Sequence, residues 1–468
     1  AGVALAYWVT NLLLAMMSRG RAPIVLDVAP NARTLAFAAA VTIVTAVLFG
    51  LLPALSASRT DAQPTLKRTG SGGDRARNTW GRAMAAMQVA LLVLLLTSAG
   101  LFARTLQKLR SIDAGFRQEN VLVVSVSTGP AYRGASARML YEDLYARFSA
   151  LPGVRSVSLS MDTPLGGEPS MSSTGISIPG RPDAEDAPQV YHNLVGPRFF
   201  ETMGIPILAG RDFEVGDDER APKSVVISES VARRYFRGEN PLGRQILVRG
   251  APTSIVGVVK DIRYTSLRTD APLVTYRPDR QETKASANTF LIRTSGSAEA
   301  LTPFLRAEIR AAAPAVPPPS IVSLEDRVAA VLVEERMLAA LSSAIGVLAA
   351  ILAAIGIYSM VAAAVARRQR EIGIRMALGA VPGQVAWKVV TETFGIVAGG
   401  LAIGVPAALA AALAARGVLA GLLFELSPTD PLILVCSTVA ILAIASLAAY
   451  VPARRASRID PVAAVKYE

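Results

Sequence analysis

Six long uncharged stretches divide the chain into apolar blocks, three before and three after a polar region. They cover residues 1–18, 34–58, 83–103, 337–366, 393–415 and 431–453. Each is near or above the ~18 residues that a helix needs to cross the hydrocarbon core of a bilayer. They are rich in Ala, Leu, Val and Ile with scattered Gly, as membrane helices are. We therefore predict an integral membrane protein with six spans.

The polar region, 105–336, has the patterns of an α+β domain. Alternating or β-branched runs predict strands at 121–128, 154–161, 224–228, 244–250, 253–262, 290–295 and 320–324. Helical patterns stand at 137–151, 228–236 and 298–313. Two strand–helix–strand units, one at each end of the region, favour a ferredoxin-like layer. The Gly-, Pro- and Asp-rich residues between them, about 165–288, are predicted to form an inserted subdomain.

The return to the membrane begins at Ser323, which with Asp326 forms a capping-box-like start. From Leu324 the chain could continue as one helix of about 45 residues, far longer than a bilayer core is thick. Such a helix would carry movement from the polar domain into the membrane. A kink or loop near Arg336 is the alternative interpretation.

Basic clusters set the predicted orientation. Segments 54–82, 367–388 and the C-terminal tail are rich in Arg and Lys, which keep short loops in the cytoplasm. Six alternating spans put all three on that side and residues 105–336 outside. The net charge of +12 then reflects topology and contact with anionic lipid headgroups. Nucleic-acid binding is disfavoured, because these basic residues are not interleaved with aromatic ones.

A fifteen-residue pattern occurs twice. PALSASRTDAQPTLK at 53–67 and PARRASRIDPVAAVK at 452–466 share Pro, Ala, Ala, Ser, Arg, Asp and Lys at the same places. Each copy follows an apolar block. We therefore predict that 34–67 and 433–466 are equivalent, each a span that leads into a basic cytoplasmic segment.

Residues for catalysis are scarce. The sequence has one histidine, His192, and one cysteine, Cys436, and lacks GxSxG, HExxH, CxxC and GxxxxGK[ST] motifs. We interpret His192 as a surface or hydrogen-bonded structural residue and the acidic run 212–220 as a solvated turn. No catalytic, cofactor or metal site is predicted, and the chain is not expected to be an enzyme.

The segment RRQREIGIRMALGAVPGQVAWK, 367–388, combines charge with helical patterning between the fourth and fifth blocks. Glu371 precedes Arg375 by four residues, the favourable order for a helical ion pair. Gly379 and Pro382 then interrupt the helix. Two interpretations remain: a solvated connector, or a surface on which a cytoplasmic partner docks.

Several stretches resemble the FtsX-like permeases of the MacB type, which are membrane subunits of ABC transporters. Residues 353–380 are similar to the signature of that family, and 453–468 to its C-terminal end. FFETMGIPILAGRDF (199–213), VVISESVARRYFRGENPLGRQI (225–246) and IVGVVKDIR (255–263) resemble the MacB periplasmic core domain. The resemblance covers nearly the whole chain.

The resemblance implies a tandem-duplicated permease, of a kind described from Acidobacteria, of which this chain is the C-terminal part. The implied divisions are 1–68, the last two spans and tail of a first module; 69–82, a cytoplasmic linker; 83–104, a span; 105–336, the periplasmic core; and 337–468, an FtsX-like domain with spans 337–366, 393–415 and 431–453. Residues 367–380 would be its cytoplasmic coupling helix. The chain would lie in the cell inner membrane.

The resemblance also implies a mechanism in which a separate cytoplasmic ATPase binds ATP and moves the permease, while this chain needs no cofactor. Candidates for contact with that ATPase are Glu371, Ile372, Gly373, Ile374 and Arg375. Other implied partners are membrane lipid and a periplasmic adaptor or substrate, for export or efflux. A transmembrane signalling or regulatory protein of the FtsX type, which controls a periplasmic partner, is the alternative function.

Overall fold

The computed structural model describes residues 72–457 apart from 130–131, 167–171, 181–187, 283–287, 379–380, 416, 418–420 and 428, together with a few positions between 33 and 43. Side chains at 72–82, 172, 370 and 377 are also outside the description. The first two predicted spans and the repeat at 53–67 therefore lie almost entirely outside the described residues. The chain divides into two compact units. We call Leu106–Glu334 the sheet unit, and the described residues up to Thr105 and from Glu335 onward the helical unit.

Twelve described strands form one sheet in the sheet unit. Their bounds are Val121–Ser125 (β1), Val154–Ser160 (β2), Ser172–Thr174 (β3), Ile176–Ser177 (β4), Val190–Val195 (β5), Ile207–Gly210 (β6), Ser224–Ser228 (β7), Gln245–Val248 (β8), Ala251–Val259 (β9), Val274–Pro278 (β10), Thr289–Thr294 (β11) and Ser320–Ser323 (β12). The main path runs β12-β1-β11-β2-β5-β10-β7-β9-β8-β4, with β3 on β5 and β6 on β9.

The helices, in chain order, are Gly72–Arg110 (α1), Ala135–Ala150 (α2), Phe199–Met203 (α3), Glu229–Phe236 (α4), Ala298–Ala312 (α5), Leu324–Val331 (α6), Val333–Arg367 (α7), Gln369–Ala377 (α8), Pro382–Ala414 (α9) and Pro431–Ala456 (α10). A 3₁₀ turn covers Asp279–Gln281.

The predicted ferredoxin-like layer is confirmed. β1 and β12 are antiparallel, as are β1 and β11 and also β11 and β2, so each strand–helix–strand unit encloses a strand of the other. Strands β3 to β10 come between β2 and β11 in the chain and continue the sheet. Within them β5 and β10 are parallel, as are β7 and β9.

Alternation along the strands explains the two cores of this layer. Leu122 and Val124 of β1 are buried with α2 and α5, where the Phe148 and Phe290 rings meet edge to face at 5.0 Å. Val121 and Val123 point to the other face, into a core that contains α3. A strand buried on both faces reads as a continuous apolar run, which is what VLVV is.

Four described helices are long and apolar enough to cross a membrane: Ala83–Arg110, Val333–Arg367, Pro382–Ala414 and Pro431–Ala456. They share one apolar core, with residues such as Val89, Ile357, Val397 and Ile441. At Gly400 an added Cβ would lie 2.6 Å from Cβ of Val89. Small residues of this kind let helix backbones approach closely, as in membrane bundles.

The expectation of one unbroken helix from Leu324 is wrong. The helical path stops at Leu332, whose φ and ψ are −95° and 11°, and α7 begins at Val333. The break lies four residues before Arg336, close to where the alternative interpretation placed it. No Gly or Pro marks it, but the Leu332 side chain is buried at 5% exposure. Burial of this side chain accompanies a break that backbone propensity does not favour.

Candidate functional site

The loop between α7 and α9 contains the short helix α8, as the sequence predicts. Arg368 separates it from α7 with a non-helical φ and ψ of −101° and 12°. Leu378 ends it, and Pro382 occupies the first turn of α9, where a missing backbone N–H costs no hydrogen bond. The segment is thus a separate nine-residue helix between two long ones.

An ion pair fixes the start of α8 to α9. Arg368 donates from Nη1 to both carboxylate oxygens of Glu392, at 2.8 and 2.9 Å. Both side chains are only partly exposed, 41% and 35%. A charge-assisted contact to both oxygens of one carboxylate restricts orientation more than a single contact does. The contact therefore links the residue before α8 to α9.

The five predicted contact residues separate into two groups. Ile372 and Gly373 are buried, whereas Glu371, Ile374 and Arg375 are exposed. Arg375 Nη2 and Glu371 Oε1 form the predicted i,i+4 ion pair at 2.6 Å. Only the exposed three are accessible to another protein, and the other two belong to the packed side of the helix.

Exposed apolar side chains also occur on α8, directly after it and in the first turns of α9. Ile374 is 45% exposed, Leu378 82%, Val381 58% and Trp387 70%. We call these four residues the apolar patch. Sequence reasoning did not single out Val381 and Trp387. The available signal was a large aromatic residue next to Lys388, at the start of a span.

His192 is a structural residue rather than part of a site. It lies on β5 at 1% exposure, with Nδ1 2.6 Å from Thr275 Oγ1 and Nε2 2.7 Å from Thr174 Oγ1. Burial, with Arg277 and Arg249 nearby, lowers the pKa of His192 to about 4. The imidazole is therefore neutral near pH 7, and both its nitrogens have partners.

The acidic run 212–220 is more ordered than the predicted solvated turn. Asp212 accepts hydrogen bonds from the backbone N–H groups of Phe200, Glu201 and Phe213. Asp217 is 6% exposed and receives both Nη atoms of Arg211, at 2.8 and 3.0 Å. These carboxylates organise their own loop.

No cluster of three metal-ligating side chains occurs in the described part of the chain.

Two family profiles match the sequence. The MacB-like periplasmic core domain matches residues 83–316, half of the chain, and the FtsX-like permease C-terminal domain matches residues 343–461. The chain belongs to the MacB-type ABC transporter permease family. The family consists of permease components rather than catalytic subunits, so this chain is a membrane protein of the transporter class.

Individual relatives agree with this assignment. The macrolide export ATP-binding/permease protein MacB of Rhodospirillum rubrum is 26% identical over 283 residues, covering 59% of this chain and 43% of that protein. The pyoverdine export ATP-binding/permease protein PvdT of Pseudomonas aeruginosa is 29% identical, with 59% and 42% covered. The chain thus spans less than half the length of these relatives.

A solved structure is also similar. The periplasmic region of MacB from Actinobacillus actinomycetemcomitans aligns with 47% of this chain and 95% of its own, at 16% identity and a TM-score of 0.33.

Proposed function

We propose that this permease transmits movement from a separate cytoplasmic ATPase to a periplasmic domain, for export or efflux of a substrate. The observation that carries the proposal is α8, a short helix at the end of α7 that is fixed to α9 and exposes apolar side chains. A helix held by Arg368 and Glu392 would pass a displacement on to two spans. The names of the relatives, which combine ATP binding with a permease, support an ATPase as the source of that displacement.

The proposed contact surface consists of Glu371, Ile374 and Arg375 together with the apolar patch. The exposed Leu378 at the end of α8 favours a protein interface, because apolar area in a polar loop is stabilised only when it is covered. Ile372 and Gly373 would support this surface from its buried side. ATP would be bound by the partner.

Orientation and division of the chain are part of the proposal. The basic residues at the α8 end of the helices favour the cytoplasmic side of the cell inner membrane, which puts the sheet unit in the periplasm. There it would meet an adaptor or substrate. Lipid surrounds the spans, and the predicted division into a partial first module, 1–68, and a complete second module is retained.

The test is affinity capture of the full-length protein in detergent, followed by reconstitution with any ABC ATPase that copurifies. Ile374→Glu should reduce ATPase binding at least tenfold, because a charge would be buried at the interface. Leu208→Glu is the matched control, since Leu208 is similarly exposed, 51%, but lies on β6 of the sheet unit. It should bind the ATPase like the wild type.

A substitution at the buried contact candidate Gly373, such as Gly373→Trp, is unsuited to this test. It would disturb the packing of α8 even in the absence of a partner. Equal binding by the Ile374→Glu, Glu371→Lys and wild-type proteins would mean that α8 is only a connector. Failure to find any ABC ATPase would instead favour the signalling function.

A further inference from the structure

The helix α6 connects the last strand of the sheet to α7 and is firmly attached to the sheet unit. Ser323 Oγ accepts a hydrogen bond from the backbone N–H of Asp326 at 3.0 Å and so caps its first turn. Leu324 is fully buried in the core beside β1. The helix then ends at Leu332, and the membrane-length helix starts one residue later.

Arg327 attaches α6 to the chain segment that follows β2. Its Nη1 donates to Oγ1 of Thr163, in the turn that follows β2. Gly166 leaves room for this contact, because an added Cβ would lie 3.0 Å from Arg327 Nη1 and 2.9 Å from the Thr163 carbonyl oxygen. The turn at 161–166 is therefore shaped around the guanidinium where Thr163 and Gly166 meet it.

Buried hydrogen bonds join the same turn to the chain between β2 and β11. Asn193 of β5 donates from Nδ2 to the carbonyl oxygen of Asp162 and accepts from the Asp162 N–H, at 3.0 and 3.2 Å. The Tyr264 hydroxyl donates to the Asp162 carbonyl oxygen at 3.0 Å, and the Tyr264 carbonyl oxygen accepts from the Leu165 N–H at 2.7 Å. Asn193 and Tyr264 are at most 2% exposed. A displaced strand β5 or Tyr264 segment would therefore displace the turn.

We infer that Arg327 is a positioning residue that links the inserted strands of the sheet unit, through the 161–166 turn, to the helix preceding the span. Movement of those strands then moves α6 as one element. The single non-helical residue between α6 and α7 is Leu332. The role in transport rests on the proposed function, whereas the link itself does not. Its test needs neither ATP nor an ATPase.

Hydrogen–deuterium exchange of the full chain in nanodiscs can measure the link. Tyr264→Phe removes a hydroxyl that donates to the Asp162 carbonyl oxygen and accepts from Asn193 Nδ2. The loss of these two hydrogen bonds should speed exchange of the amides at 325–332 by at least about fivefold. Arg327→Met should speed the same amides about tenfold, because the lost bond comes from a charged group. In the Arg327→Met background, Tyr264→Phe should have no further effect on these amides. Two residues without a direct contact would couple in this way only through the link.

Tyr276→Phe is the matched control. Tyr276 is equally buried in the same core, and its hydroxyl has no hydrogen-bond partner in the described structure. It should leave exchange at 325–332 unchanged, and Arg327→Lys, which keeps a charged donor, should lie between the wild type and Arg327→Met.

The inference is overturned if Tyr264→Phe leaves α6 exchange unchanged, or if its effect persists in full without Arg327. It is also overturned if Tyr276→Phe acts like Tyr264→Phe, since the effect would then report loss of core stability. Should Arg327→Met fail to fold, the same test applies with Thr163→Val, which removes the acceptor instead. An absent ATPase would leave every one of these results unchanged, so failure of the link and failure of the proposed function are distinguishable.

Discussion

His192 should make the stability of the sheet unit depend on pH. Asp212 acts in the opposite direction, since burial raises its pKa from 3.8 to about 6 and the folded state then holds the extra proton between those values. The folded state holds the His192 imidazole neutral, with a pKa of about 4, because it is buried and lies near Arg277 and Arg249. The two threonine hydroxyls do not oppose protonation, since a hydroxyl oxygen can accept from an imidazolium N–H as well as donate to a neutral nitrogen. Desolvation is therefore the main cost of the charged form.

The sign and size of the effect of His192 on folding stability follow from the difference in its pKa between the folded and unfolded states. An unfolded histidine titrates near pH 6.5, so between pH 6.5 and 4 the unfolded state binds more protons than the folded state. The contribution of His192 to stability is complete above pH 6.5 and is lost progressively as the pH falls towards 4. A shift from 6.5 to about 4 corresponds to at most about 3 kcal/mol.

The sequence makes the assay direct, because His192 is its one histidine. In protein carrying ¹³C-labelled histidine and a histidine-free affinity tag, one ring resonance should titrate with a midpoint near 4. In chemical unfolding, the difference in free energy between the wild type and His192→Gln should change in favour of His192→Gln as the pH falls from 6.5 to 4.5, because Asp212 contributes equally in both proteins. A ring midpoint of 6 or above, or an equal pH dependence in both proteins, would refute the reasoning.

Two further predictions concern the helical unit, one on helix packing and one on an ion pair. Gly400→Ala should lower the free energy of unfolding by about 1–3 kcal/mol, because its Cβ would meet Val89. The control Gly399→Ala, whose Cβ points into open space, should be neutral or slightly stabilising in the same thermal-unfolding assay. Arg104 and Asp430 form an ion pair at 2.6 Å between α1 and the start of α10. A double-mutant cycle with Arg104→Gln and Asp430→Asn, which keeps the cap, should give a coupling of about 1 kcal/mol, and additive losses would mean that the pair contributes nothing.

Strands with a strong local pattern were predictable from the sequence. The run at 224–228 coincides with β7, and the helix predicted at 298–313 ends one residue later than α5. The strand β5 was not predicted, because VYHNLV places His192 and Asn193 in a buried strand. Their hydrogen-bond partners lie 18 to 83 residues away along the chain. A local sequence pattern cannot identify partners that lie so far away along the chain.

The candidate site was predicted as a segment but not as a surface. Five consecutive residues of a helix cannot share one face, since each step turns the side chain by about 100°. Ile372 and Ile374 accordingly differ, the first 8% exposed and the second 45%. The buried side of α8 is set by contacts between segments distant in the chain, such as that of Arg368 with Glu392 across 24 residues, which no sequence periodicity encodes.

The long helix α7 is bounded by two similar joints. Leu332 and Arg368 have nearly the same non-helical backbone angles, −95° and 11° against −101° and 12°. An arginine contacts a neighbouring segment near each end: Arg327 of α6 donates to Thr163 in the 161–166 turn, and Arg368, itself the second joint, donates to Glu392 of α9. A straight helix of 35 residues is about 50 Å long, so under the proposed function α7 would carry a displacement from one joint to the other. The two arginines would then determine which segments move with each end. Because they lie too far apart to interact, variants at Arg327 and Arg368 should have additive effects on amide exchange in α6 and α8.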